Sequence, residues 1–319
     1  MRILSAALVL ACTVTAAAAQ TYPGKPVQII VPSSPGGISD TAARLVGEGL
    51  SKLWGQSVVI ENRPGGGGSI GTGAAKRSVA DGYTLLVTTN GEFALNPVIY
   101  PSLPYDPSKD FLPIVIATYN PIAVVANVNA PFNSFEELVD AARKKPGSIP
   151  WASAGAGTWN HLAGEWLQLE TKTKLVHVPY KGGGPASTAV AGGDVPIGLL
   201  SVSSVMPHLK SGRVKILAVT SRERIKFDPS WPTVAELTGS ELDAVNWVAF
   251  FAPNGVPPEV ARKIQDDVQT VLKDPKFVER LSLIGIEPGG MPSQALVEQI
   301  KSDRSQAERV AKESGMKVE

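Results

Sequence analysis

Apolar and polar residues along this chain fall into blocks that switch repeatedly between a strand pattern and a helix pattern. The run VQIIV at residues 27–31 is almost wholly apolar and β-branched, the composition of a strand covered on both faces, and Pro32 ends it. Ala42, Leu45, Val46, Leu50, Leu53 and Trp54 then recur at helical spacing. Between the two lies a short turn with Gly36 and Gly37, and Ser39 or Asp40 is expected to cap the helix. Further strands are predicted at 57–61, 84–88, 149–151, 175–180, 195–201, 215–221 and 245–252, with helices between most of them. Ser134 with Glu137 reads as a capping box, and three amphipathic helices follow at 258–273, 275–283 and 294–314. Strands alternating with helices predict an α/β fold with a mainly parallel sheet.

Domain boundaries follow from the same pattern. The proline-rich stretch at 101–113 is expected to be surface loop, and the apolar β-rich segment at 114–128 is broken by Asn120 and Pro121, where the chain is expected to cross into a second domain. The long apolar run at 245–252 is expected to cross back, with the C-terminal helices packing on the first domain. The expected division is a leader at 1–19, a discontinuous first lobe at 20–121 plus 249–319, and a second lobe at 122–248.

Composition narrows the function. Apolar residues at 43% and charged residues at 18% describe a globular chain of 319 residues. Arg2, an apolar run and alanines at 16–19 fit a signal peptide cut after Ala19, which implies a periplasmic protein. No later run approaches the ~20 apolar residues that span a bilayer. The one cysteine, Cys12, lies in the leader, which excludes disulfides, thiol nucleophiles and thiolate metal sites from the mature chain. Removal of Arg2 from the 30 basic residues balances the rest against the 29 acidic ones, so no general field attracts nucleic acid.

An anion must therefore be recognised locally, and two stretches offer the means. At 27–44, VQIIVPSSPGGISDTAAR sets a strand, a glycine turn and a helix start in succession, and unpaired N–H groups at a helix start favour a carboxylate or phosphate. At 153–160, SAGAGTWN repeats that design in the second half and leads into a helix at 161–169. If both turns face one crevice, main-chain groups clamp a small acid from two sides. A literal G-x-G-x-x-G at 66–71 is followed by Asp81 only ten positions on, in the turn before the next strand, whereas a dinucleotide site needs its acidic residue at the end of that strand, so the glycines read instead as a wide turn before a helix at 74–79. His161, His177 and His208 have no metal-ligand spacing, so no metal and no cofactor are expected.

The motifs VQIIVPSSPGGISDTAAR, VVIENRPGGGGSIG, DGYTLL, SAGAGTWNHLAG, HVPYKGGGPA and AGGDV, in this order behind a leader, resemble those of the Bug family, the extracytoplasmic solute-binding proteins of tripartite tricarboxylate transporters. The resemblance implies a type II periplasmic-binding fold, two α/β lobes joined by a two-strand hinge that closes over a small carboxylate. It implies ligand contacts from the first turn, matched here by Ser33, Pro35, Gly36, Gly37, Ser39 and Asp40. The second turn contributes Ser153, Gly155, Gly157, Thr158, Trp159 and His161, where Trp159 departs from the common pattern and is placed to stack on an aromatic acid or narrow the pocket. Tyr180 and Asp194 match further family positions, and Asn90, Ser201 and Trp247 are added from their places at strand ends.

These readings predict a non-enzymatic binding protein, a monomer that delivers a small carboxylate to the membrane components of a transporter, with a membrane sensor kinase as an alternative partner. The competing enzyme reading is an exported hydrolase using Ser153 or Ser203 with His161, against which stands the lack of a G-x-S-x-G elbow.

Overall fold

Residues 22–316 are described by the structure, a computed structural model, and the expected leader with Cys12 lies outside them. In chain order the elements are β1 (Val27–Val31), α1 (Ile38–Trp54), β2 (Val58–Asn62), α2 (Ser69–Lys76), β3 (Thr84–Thr89), α3 (Asn96–Ile99), β4 (Phe111–Asn127), α4 (Phe135–Lys144), β5 (Pro150–Ser153), α5 (Trp159–Thr171) and β6 (Val176–Pro179). They continue with α6 (Gly183–Gly192), β7 (Ile197–Ser201), α7 (Val202–Lys210), β8 (Val214–Val219), α8 (Val234–Thr238), β9 (Val245–Pro253), α9 (Pro258–Lys273), α10 (Pro275–Ser282), β10 (Glu287–Pro292) and α11 (Ser293–Ser314).

The strands form two sheets that share β4. Its first part pairs antiparallel with β9, from Phe111 opposite Pro253 to Pro121 opposite Val245, and with β10. Its second part pairs antiparallel with β7 and β8, beginning at Ile122 opposite Ser201. The order β2-β1-β3-β9-β4-β7-β5-β6 therefore runs through two lobes, the type II periplasmic-binding arrangement. Asn120 and Pro121 do not break β4, as their residue types predict; they lie inside one continuous strand. Proline is tolerated where a strand changes neighbours, because a missing N–H costs little at the changeover. The sheets are mixed rather than mainly parallel, because β4, β8, β9 and β10 all run antiparallel to a neighbour.

Sheet pairing changes on the return strand between Ala244 and Val245, so residue 249, the expected start of the first lobe's second segment, lies within β9. Thr220 ties this junction: its N–H donates to the Ile122 carbonyl, its hydroxyl to the Ala244 carbonyl, and its own carbonyl accepts from the Ala244 N–H.

Each lobe is covered on both faces. One face of the first sheet packs Ala42, Val46 and Leu50 of α1 with Ile264, Val268 and Leu281 of α9 and α10. In the second lobe α5 and α4 cover one face through Leu162, Trp166 and Leu138, and α6 and α7 the other through Val190 and Met206. The last helix departs from expectation. Leu296 of α11 lies in the first lobe's core, whereas Ala307 and Val310 pack with Trp166 of the second, so α11 spans both lobes.

A buried acid anchors that helix. Asp303 accepts the Trp247 indole N–H at 2.7 Å and the Gln299 amide at 2.7 Å. Burial outweighs these donors and pushes its carboxyl up to about 6. A folded-state value raised above the ordinary carboxylate range makes the ionised form a burden that grows as pH rises through about 6. Thermal melts from pH 4 to 8 are expected to show stability falling across pH 4–6.5, and Asp303→Asn is expected to flatten that slope by up to about 3 kcal/mol. Identical slopes in the two proteins would refute the assignment.

Candidate functional site

The first turn is held by its own side chains. The helix N-cap is Gly37, with no side-chain cap, so neither Ser39 nor Asp40 caps α1 as its residue type predicts. Asp40 instead reaches back from the first helical turn. Its carboxylate accepts the Gly36 N–H at 2.9 Å, the Asn62 amide at 2.9 Å and the Arg44 guanidinium at 3.0 Å. Burial opposes ionisation of Asp40, but these donors and the Arg44 charge together hold its carboxyl below the ordinary range. Asn62, at the end of β2, also donates to the Ser33 carbonyl at 3.0 Å. All of Asp40 is thereby engaged in shaping the loop, and helix geometry leaves the N–H groups of Ile38 and Ser39 without intrahelical acceptors. Ser33 Oγ is buried without a hydrogen-bond partner among the described residues, next to Gly37.

The second turn follows the same logic with different groups. Thr158 caps α5, accepting the His161 N–H and donating to the Gly155 carbonyl at 2.7 Å. His161 Nδ1 accepts the Gly157 N–H at 3.2 Å, and its Nε2 lies 3.6 Å from Glu165 Oε1. Gly155 has a φ of +144°, and a Cβ there would lie 3.1 Å from the Tyr180 carbonyl, so only glycine fits. Ser153 Oγ accepts the Gly155 N–H and lies 2.6 Å from His177 Nε2. The His177 ring stacks on His161 at 3.9 Å, and burial followed by the proximity of His161 pushes it down to about 3, so it stays neutral at physiological pH. The hydrolase pairing of Ser153 with His161 is therefore not formed; the serine meets His177.

Strand directions bring the two turns to one junction. β3 runs antiparallel to β9 with Thr89 opposite Val248, so β3 and its parallel neighbour β1 end toward the point where β4 enters the second lobe. β7 ends at Ser201 opposite Ile122, and β5 is parallel to it, so Ser153 ends at the same junction from the other side. Between the turns lies a buried polar floor. Asn246 donates to Asn160 Oδ1 and to Ser201 Oγ, each at 3.2 Å, and Asn160 in the first turn of α5 donates to the Leu199 carbonyl at 3.1 Å.

Other expected site residues stand elsewhere. Trp159 is 2% exposed and packs in the second lobe's core with Trp151 and Trp166, so its ring is not free to stack on a ligand. Trp247 is 1% exposed and engaged with Asp303. Asn90 donates to the Val245 carbonyl at 2.9 Å and lies beside Asp303, a hinge tie. Tyr180 backs the second turn, its N–H donating to the Ser153 carbonyl. Asp194 is exposed and precedes β7, at the end opposite Ser201, so it sits at the outer rim. An open depression of about 530 Å³, bordered by Gly193 and Pro196, lies at that rim. Pro35 is exposed on the first turn. Asn62, Arg44, His177, Asn120, Asn160 and Asn246 were not expected from the sequence; Arg44, Asn62, Asn160 and His177 fall in motifs that could have flagged them, and Asn120 and Asn246 do not.

The glycine-rich stretch is packing. A short 3₁₀ turn at Gly66–Gly68 leads into α2, which begins at Ser69 rather than at 74. A Cβ at Gly68 would strike the Glu92 carboxyl, and one at Gly67 the Tyr100 hydroxyl.

The sequence profile of the family described as "Tripartite tricarboxylate transporter family receptor" matches residues 42–316. The chain belongs to that family. This receptor is 35% identical to BugT of Bordetella pertussis over 85% of its own length and 83% of that protein. Among solved structures it is similar to Rpa4515 of R. palustris with adipate, at a TM-score of 0.87, 31% identity and coverage of 93% and 99% of the two chains. It is also similar to MatC of Rhodopseudomonas palustris with bound malate, at a TM-score of 0.82, 28% identity and coverage of 91% and 99%. The receptor is thus a periplasmic-type solute-binding protein and not an enzyme. Among the described residues no helix is long and apolar enough to cross a membrane.

Asp40→Ala removes the common acceptor of Gly36, Arg44 and Asn62 in this receptor. It is expected to cost about 2–3 kcal/mol in urea melts at pH 7. Because the folded Asp40 carboxyl is depressed, that difference is expected to persist above the ordinary carboxylate pKa and to fade as pH falls below about 4.

Proposed function

We propose that this receptor captures a small carboxylate between its lobes and delivers it to the membrane components of a tripartite tricarboxylate-type transporter. The observation that carries the reading is the buried, unpartnered Ser33 hydroxyl beside the start of α1, on a turn that the strand directions bring to the same junction as the second glycine turn. A hydroxyl and main-chain N–H groups are donors, and a carboxylate supplies the matching acceptors without a basic side chain. Adipate on Rpa4515 and malate on MatC support the same ligand class.

The proposed contacts are Ser33, Gly36, Gly37 and Ser39 from the first lobe and Ser153, Gly155, Gly157, Thr158 and Ser201 from the second. A guest that touches both sets only when they meet favours the closed form by its differential affinity. The lobes would move about the points where β4 and the return strand change sheets, at Pro121–Ile122 and Ala244–Val245, and a monomer suffices for closure. Export by a leader at 1–19 supplies the compartment in which such capture is useful.

A thermal-shift screen of mono-, di- and tricarboxylates and aromatic acids tests this. A bound acid at a hundredfold excess over Kd is expected to add about 3 kcal/mol of stability without turnover. Ser33→Ala is expected to weaken that acid about tenfold. Lack of stabilisation by every acid, or a product formed from one, would defeat the proposal.

A further inference from the structure

We infer that the crevice selects a carboxylate that also carries a hydrogen-bond donor, a hydroxyl or an ammonium group, and that Asn120 reads this donor. The inference rests on the carboxylate reading above and names the second group that the ligand must bring.

The position of Asn120 follows from strand alternation. Thr118, Asn120 and Ile122 share one face of β4. Thr118 lies opposite Val248, which packs in the core that α1 covers, and Ile122 packs in the core that α5 covers. Asn120 therefore lies between the two helices whose starts carry the glycine turns. Its direct cross-strand partner is Asn246, and opposed residues of an antiparallel pair present their side chains to the same face. Asn246 reaches the first turn of α5 through Asn160, which fixes that face as the one lining the junction.

The chemistry follows from which atoms have partners. Asn120 is 0% exposed, and its Nδ2 donates to Thr118 Oγ1 at 3.1 Å. Its Oδ1 accepts from no described residue. The amides of the polar floor beside it already have acceptors: Asn246, its cross-strand partner, donates to Asn160 and Ser201, and Asn160 to the Leu199 carbonyl. A buried carbonyl oxygen without a donor is unfavourable, and a ligand carboxylate against it would add repulsion between lone pairs. A hydroxyl or ammonium group on the ligand removes the deficit. The two ends of the crevice thus ask for opposite things, acceptors at Ser33 and α1, and a donor at Asn120.

Calorimetric titration with acid pairs that differ by one donor tests the inference: succinate against malate and aspartate, and propionate against lactate. Wild type is expected to bind the substituted member about 10- to 100-fold more tightly, the range of one hydrogen bond to an otherwise unpaired buried group. Asn120→Ala, confirmed folded by its melt, is expected to lose that preference while binding the unsubstituted acids within about threefold of wild type. Equal binding of both members by wild type, or a preference for the unsubstituted one, overturns the inference and leaves the carboxylate reading intact. Loss of both members by the same factor in the variant overturns it as well, since Asn120 would then only support the floor. Failure of every acid to bind wild type defeats both readings.

Discussion

Strand β4 is hydrogen-bonded into two sheets at once, and the rest of the molecule is arranged by that constraint. A strand of 17 residues has one direction, so the neighbours it accepts in each lobe are oriented with respect to the same axis. The parallel strands of both lobes consequently end at the changeover near Pro121, and the loops that follow β1 and β5 are brought to one junction. Neither glycine turn needs a long-range contact of its own to find the other. Thr220 reinforces the arrangement by bonding both strands where they change sheets.

Side chains in the turns serve the backbone more than the ligand. Asp40, Asn62, Thr158, His161 and Ser153 satisfy loop carbonyls and N–H groups that would otherwise be exposed or unpaired. Among the unpartnered donors of the first turn are the helix-start N–H groups and the Ser33 hydroxyl, in a chain whose charges nearly cancel. Recognition by fixed dipoles suits a receptor, because a guest held this way is released when the lobes part, with no buried ion pair to break. The polar floor of Asn160, Asn246 and Ser201 bonds the return strand β9 directly to the second lobe.

The last helix adds a second link between the lobes. Its buried Asp303 holds the Trp247 indole of β9 while its C-terminal half packs on Trp166 of α5. Burial, with a smaller push from the Asp243 charge, raises that carboxyl to about 6.

Much of this was legible in the residue pattern. Local periodicity and capping chemistry located β1, α1, β3 and the helices α9, α10 and α11 to within a residue or two, because a buried strand and an amphipathic helix are each specified by near neighbours in the chain. The two glycine turns, and through their motifs the family, were legible for the same reason. Tertiary structure alone decided which polar groups remain unpaired. Asn120 and Pro121 read as a break until β4 is seen to change partners there, and Trp159 and Trp247 read as ligand contacts until their rings are seen in the cores. Asp194 read as a site residue until the direction of β7 put it at the outer rim. Burial and hydrogen-bond satisfaction depend on residues tens to hundreds of positions away, so the sequence determined the scaffold and the kind of site, and only the packed chain decided which atoms face the guest.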